Sequence, residues 1–365
     1  MKNELLHRIA LTMIPELGPV RVKALIDYFG DAVSVFAARK KELAAVETIG
    51  ELRAKFIKDY TDFSAAEQEI HFIEQQKIKA LFLTDSTYPK RLLHCYDPPP
   101  LLYYHGNADL NQSKIISVIG TRSHTGYGKQ VTEELIAGLQ SLPVLIVSGL
   151  AFGIDAIAHK AALQHGMPTV GVLGHGLDTI YPQQHKTLSK EMLQYGGLLS
   201  EFRKGTQPDK HNFPKRNRIV AGMSDATIVI ETDIKGGSMI TAELAHNYNR
   251  DLFAVPGKIT DSKSSGCLQL IQQNKAILLS DAEQLIDVMG WLENKKQVKK
   301  QTALFVELSN EEKVVVNLLE NKECVPIDEL YLKSGLSSSM MAAVILNLEL
   351  QNIIRSMPGK QFSLI

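Results

Sequence analysis

The chain has 365 residues, 44% of them hydrophobic and 22% charged, enough to bury a sizeable core in two or three domains. Lysine plus arginine and aspartate plus glutamate number 40 each, so bulk charge singles out no partner and any nucleic-acid affinity must come from local clustering. Cys95, Cys267 and Cys324 are too few and too scattered for a disulfide framework or a zinc site, and an acid- and proline-bearing start with no long apolar run leads to a cytoplasmic protein without a membrane partner as the expectation.

From about Leu5 to Ile78 the apolar residues keep a helical period, with Leu17, Val22, Leu25, Ile26 and Phe29 on one face and loop punctuation at Pro15 to Pro19. The segment Ile14 to Leu25, echoed by Ile49 to Ile57, fits a helix-hairpin-helix whose central glycine frees N–H groups for a DNA phosphate. It fits a plain helix-turn-helix packing unit equally well, since only Gly18 suits the first hairpin and Gly50 is followed by Glu51 in the second. A small helical domain of helix-hairpin-helix or SAM-like type is expected over residues 1–80. Pro98-Pro99-Pro100 then leads through the strand-like Leu101 to Tyr104 into alternating elements. Short continuous apolar runs predict strands at 115–119, 144–148, 169–173, 197–200, 226–230, 252–255 and 276–279, with helical patterns between them. Such βαβ units make an α/β, Rossmann-like core with a largely parallel sheet over residues 81–290. Trp291 to Thr302 is lysine-rich without apolar periodicity, giving a linker at 291–304. Over 305–365 the order is a helix from Leu308, a helix at Ile327 to Lys333, a turn at Ser334-Gly335, a helix from Ser338 and two strands around Pro358-Gly359, which is the order of a winged helix.

Three strands in succession break into glycine-rich turns, IISVIG-TRSHTGYG from Ile115, VLIVSG-LAFGID from Val144 and TVGVLG-HGLDTIYP from Thr169. Glycine at the carboxyl end of a buried parallel strand lets backbone approach a ligand closely, and ligands of open α/β sheets sit there among N–H groups and helix N-termini that favour phosphate. Gly120, Thr121 and Arg122, then Ser148, Gly149 and Gly153, then Gly174, His175 and Gly176, are thereby candidates for one polyanion-binding rim. No nucleotide fingerprint is complete. Thr179 stands where G-x-G-x-x-G needs a third glycine after Gly174 and Gly176, and Gly128-Lys129 lacks the upstream glycine and the Ser/Thr of a P-loop.

The segment Glu201 to Gly222 carries Arg203, Lys204, Lys210, Lys215, Arg216 and Arg218 against Glu201 and Asp209, a local charge of +4, with Phe213 inside it. A charge run is ordinarily a solvated face, but cations interleaved with an aromatic suit a nucleic-acid backbone with a base on the ring. The segment GGSMITAE, Gly236 to Glu243, opens a helix after another strand, so Ser238 and Thr241 are candidates for a cap or an anion ligand. Its spacing is similar to the GGxGTxxE loop of enzymes that cleave nucleoside monophosphates at the glycosidic bond. Glu243 is in register, but Met239 and Ile240 replace the inner glycine and threonine. Asp155 and His159, one turn apart, read as a helix-terminus charge and a satisfied histidine, since no third metal ligand has suitable spacing. No HExxH or GxSxG is present, which leaves hydrolysis without a metal or nucleophile.

Taken in order, VIGTR and HTGYG (Val118 to Gly128), SGLAFGIDAIAH (Ser148 to His159), VLGHGLDTIYP (Val172 to Pro182), LLSEF (Leu198 to Phe202), FPKRNRIVAGMSD (Phe213 to Asp225), GGSMITAELA (Gly236 to Ala245) and FAVPG (Phe253 to Gly257) resemble the DNA-processing protein A (DprA/Smf) family over roughly residues 85–285. The resemblance implies a non-enzymatic protein of natural transformation and homologous recombination, without cofactor or metal. Such a protein binds and protects incoming single-stranded DNA, forms a homodimer and loads the RecA recombinase. It implies DNA contacts at Gly120, Thr121, Arg122, Ser148 and Gly149 and along FPKRNR with Lys215, Arg216, Asn217 and Arg218. His185, where the family often has asparagine after Tyr-Pro, and Leu268, in place of the asparagine after Gly266-Cys267, depart from its pattern. The alternative is a nucleotide- or phosphosugar-processing enzyme using Glu243 and the glycine turns. Transcriptional regulation through the winged helix is disfavoured by charge: Phe305 to Ile365 carries five basic and eight acidic residues, and Ser338 to Glu349 has no Lys or Arg for groove contacts.

Overall fold

The computed structural model describes residues 2–291, 308–320 and 322–365. The expected linker beyond Trp291, and residues 305–307, lie outside the described residues. After α1 (Lys2–Met13), Gly18 caps α2 (Pro19–Phe29), with Pro19 in the first turn where its missing N–H has no helical partner to lose. Val22, Leu25 and Ile26 face inward as their spacing requires, and Phe29 packs on the same core. Four more helices follow, α3 (Ala32–Ala37), α4 (Lys40–Ala45), α5 (Gly50–Asp59) and α6 (Ser64–Gln75). The two candidate hairpin segments fall at the junctions of α1 with α2 and of α4 with α5.

The chain then builds β1 (Lys79–Phe82), α7 (Lys90–Leu93), β2 (Leu101–Gly106), β3 (Lys114–Ile119), α8 (Gly126–Gly138), β4 (Val144–Ser148), α9 (Ile154–Gln164), β5 (Thr169–Leu173), α10 (Lys186–Tyr195) and β6 (Gly197–Ser200). It continues with α11 (Asn212–Gly222), β7 (Ala226–Val229), α12 (Gly237–Asn247), β8 (Asp251–Ala254), α13 (Ser265–Gln272) and β9 (Ile277–Leu278). Every residue of β4, β5, β6 and β7 is buried, as strands covered by helices on both faces must be. One sheet of nine strands results, in the order β1-β2-β6-β5-β4-β3-β7-β8-β9. It is parallel from β6 to β9, and β1 and β2 are attached antiparallel at one edge. Strand β1 is an addition to the expected set, because its four residues are too few to carry a period.

From β3 the chain winds outward through β4, β5 and β6, then returns to β7 on the other side of β3 and winds the opposite way. The gap between the carboxyl ends of β3 and β7 is therefore the topological switch point, where a doubly wound sheet leaves a crevice. Buried residues of the helices, such as Ile9, Leu25 and Ile57, share one continuous core with Ile115, Leu145 and Val172 of the sheet. Met1–Leu279 accordingly forms one compact unit and Ser280–Ile365 a second.

The second unit contains α14 (Ala282–Val288), α15 (Asn310–Leu319), β10 (Val325–Pro326), α16 (Ile327–Ser334), α17 (Ser338–Leu350), β11 (Ile354–Met357) and β12 (Gln361–Leu364). A reciprocal cap between Ser309 and Glu312 starts α15, and Gly335, with φ 68°, ends α16 in the left-handed conformation glycine tolerates. The strands form a small sheet in the order β10-β12-β11, and Val315, Leu330, Met341, Leu348 and Phe362 fill a core of their own. This is a winged-helix domain.

Candidate nucleic-acid interface

The carboxyl ends of β3 and β7 are tied together by backbone: the Thr121 N–H donates to the Glu231 carbonyl at 2.7 Å, and the Ile154 N–H donates to the Thr121 carbonyl at 3.2 Å. Glu231 is buried, and its carboxylate accepts from the Thr125 N–H at 2.9 Å and from the Thr125 hydroxyl, which itself caps α8. The turn Gly120-Thr121-Arg122 is therefore held rigidly at the switch point. Beside it opens a cavity of about 520 Å³.

Nine of the expected residues meet at this cavity: Gly120, Thr121, Arg122, Gly149, Phe213, Arg216, Asn217, Ser238 and Thr241. Its floor is lined by two buried side chains of opposite charge, Asp155 8% and Arg216 6% exposed. Burial pushes the Asp155 carboxyl above its ordinary range, and the Arg216 guanidinium opposes that shift. Arg216 donates through Nη1 to the Val172 carbonyl at 2.6 Å, while its buried Nε has no hydrogen-bond partner among the described residues. A Cβ at Gly149 would collide with both Arg216 Nη1 and Asp155 Oδ2, so any side chain there would displace the two charges of the floor. At the mouth, the exposed Arg122 guanidinium lies 5.5 Å from the centroid of the Phe213 ring, a cation–π arrangement. Lys210 and Asp233 complete the charged lining, giving three cations against two carboxylates. The Ser238 hydroxyl is used internally, donating to Thr232 Oγ1 at 2.7 Å, so a ligand at that wall would meet the first-turn N–H groups of α12.

A smaller hollow of about 30 Å³ adjoins the cavity and shares Arg122, Ala151, Phe213 and Arg216 with it. Gly174 lines this hollow, because the absence of a side chain lets the Phe213 ring lie against the end of β5. His175 is here too, buried, its Nδ1 within 2.9 Å of the Gly176 carbonyl, and burial lowers its pKa.

The structure does not bring Ser148, Gly153, Gly176, Lys215 or Arg218 to either wall. Ser148 is fully buried and donates to the Val118 carbonyl at 2.6 Å. Gly153, with φ 80°, allows the N-terminus of α9 to press against the Thr121 carbonyl, and Gly176 makes the same allowance for the Arg203 carbonyl. Lys215 is exposed beside Glu201, whereas Arg218 is buried, bonded to Glu201 and to the Asp97 carbonyl. The basic segment is thus neither one solvated face nor one binding face: Lys204 lies 5.3 Å from the Phe72 ring and its N–H donates to Glu69 of α6 at 3.0 Å.

Asp155 was legible only as a helix-terminus charge, yet it forms the cavity floor; its spacing from Gly149 and the distant Arg216 gave no local signal. His159 bonds Thr169 Oγ1 through Nδ1 at 2.7 Å, and burial lowers its pKa to about 3. Of the two family departures, His185 is buried with Nδ1 3.0 Å from the Leu150 carbonyl, and Leu268 is half-buried on α13. Glu243 lines neither hollow and pairs with Lys275 at 2.7 Å. Among the described residues no group of His, Cys, Asp and Glu is placed to hold a metal, and no helix is long and apolar enough to cross a membrane.

The family model for DNA recombination-mediator protein A matches residues 79–290, and that for the DprA winged helix domain matches residues 300–360. Protein Smf from Synechocystis is 36% identical over 295 residues, which cover 79% of this chain and 73% of that protein. The X-ray structure of DNA processing protein A from Streptococcus pneumoniae superposes with a TM-score of 0.68 at 34% identity, over 77% of this chain and 97% of that one. DNA processing protein A from Helicobacter pylori, whose structure is described for its unique single-stranded DNA binding mode, gives a TM-score of 0.54 at 33% identity over 59% of this chain and 96% of that one.

Proposed function

The chain belongs to the DNA recombination-mediator protein A family, and from that premise we propose that it binds single-stranded DNA without reading its sequence, at the switch-point cavity. The observation that carries this reading is the Arg122 guanidinium over the Phe213 ring at the mouth of a glycine-lined cavity. A cation for the phosphate, a ring for the base and close backbone approach are what a single strand needs when its bases are not read. The single-stranded DNA binding of the Helicobacter pylori relative supports the same ligand.

In this reading the helical segment 1–80 and the winged helix flank a DNA-binding core at 81–290, and the protein acts as a dimer that protects DNA and delivers it to the RecA recombinase. It is a binding protein rather than an enzyme, which the ion-paired position of Glu243 outside the cavity supports. A gel-shift comparison of single-stranded with blunt duplex DNA tests the core of it: the single strand should bind tighter, with affinity falling as salt rises by a log–log slope of about −0.7 per phosphate neutralised. Equal affinity for the two would defeat it. Release of free base from a nucleoside monophosphate, abolished by Glu243→Gln, would establish the enzyme reading instead.

A further inference from the structure

The small hollow beside the cavity holds about 30 Å³, room for a water or two, so nothing of nucleotide size is enclosed there and a ligand must meet it from outside. What it presents outward is aromatic. Tyr181 and Phe152 line it and are 46% and 42% exposed. The Tyr181 ring lies 6.1 Å from the Phe213 ring at an interplanar angle of 31°, so the two form one continuous ledge starting under Arg122. Phe152 stands in the same lining, braced at 5.1 Å by the edge of the buried His185 ring. No carboxylate lines this hollow, whereas Asp155 and Asp233 line the cavity, so a polyanion leaving the cavity in this direction meets rings, cations and apolar side chains but no like charge in that lining.

We propose that the strand leaves the cavity across this rim, with bases stacking on Tyr181 and Phe152 beyond the one on Phe213. The inference rests on the single-strand reading above and adds to it a direction and two base-stacking residues. Every base has a π face, so such a ledge lengthens the site without introducing sequence preference, and it exchanges no counterions because it touches no phosphate.

The test is fluorescence anisotropy on the full chain with a labelled oligothymidylate and an abasic strand of the same length. Tyr181→Ala and Phe152→Ala should each weaken oligothymidylate binding by roughly ten-fold. The salt slope and the affinity for the abasic strand should stay as in the parent protein, and Tyr181→Phe and Phe152→Tyr should bind as the parent does. Both alanine variants binding oligothymidylate with full affinity, or losing equally on the abasic strand, would overturn the ledge while leaving single-strand binding intact. A parent protein that binds neither strand would overturn both. Because both rings are partly exposed on loops, an unchanged melt is expected for every variant and is recorded alongside.

Discussion

Two arginines that read alike in the sequence carry different consequences in the fold. Arg122 is exposed and rests on the Phe213 ring, so Arg122→Ala should weaken single-strand binding to a similar degree for all sequences, reduce the salt slope by about 0.7 and leave the melt unchanged. A change of sequence preference at full affinity would contradict its role as a backbone contact. Arg216 is buried against Asp155, and its loss leaves a carboxylate in the interior without its cation, so Arg216→Ala should destabilise the protein by about 3–5 kcal/mol, read by denaturant unfolding, besides weakening DNA binding. A third residue-scale effect follows from His159, whose ring burial keeps neutral, with a pKa lowered from 6.5 to about 3. Across that window the unfolded chain takes up a proton that the folded chain refuses, so this histidine removes stability as pH falls from 6.5 toward about 3. Buried Asp155 and Glu69 and half-buried Glu201, whose carboxyls are pushed up by desolvation, act in the opposite sense as pH falls. The contribution of His159 is therefore read as a difference: melts of His159→Gln should fall less steeply than those of the parent between neutral and acid pH, and parallel curves would show that the ring is not the group responsible.

At the scale of one element, α11 shows why the sequence revealed the segment but not its faces. Arg216, Asn217 and Arg218 are consecutive, and each step along a helix turns the side chain by about 100°, so the first and last cannot share a face. One guanidinium enters the cavity floor and the other turns to Glu201 and the Asp97 carbonyl. A count of charges along the chain registers the two arginines equally; which of them reaches a ligand depends on the phase of a helix whose start, at Asn212, is marked by no side-chain cap. Arg218→Ala should accordingly cost about 3–5 kcal/mol of stability by removing a buried guanidinium and leaving the largely enclosed Glu201 carboxylate without its partner, yet the folded fraction should keep its single-strand affinity. Reduced affinity in protein shown to be fully folded would bring Arg218 back into the site. The strands behaved differently, because a continuous apolar run needs no phase: β4, β5 and β6 span the residues their composition predicts. The glycine turns were legible for a related reason, as a residue lacking a side chain at a strand's carboxyl end signals close approach whatever it approaches, although at Gly153 and Gly176 the approaching group is the protein's own backbone.

At the scale of the whole molecule, the division of labour between the two units is open to a single deletion. The winged-helix region carries eight acidic residues against five basic, and α17, the helix that would enter a groove, has no Lys or Arg. Its outward side chains include Met340, Leu346 and Leu350, which are exposed and apolar, a surface with nothing to offer a phosphate. The cavity, by contrast, is built entirely from residues of the Met1–Leu279 unit, between Ile119 and Thr241. Removing the chain from Val298 onward should therefore leave the cooperative melt of the first unit and its affinity for short single strands intact. A truncated protein that melts normally and yet loses most of that affinity would place part of the DNA site in the winged helix and defeat the charge argument. Sizing the same protein separates the remaining case: if the deletion dissolved a dimer, long strands that bridge two cavities would bind more weakly through lost avidity, while strands too short to bridge them would bind as before.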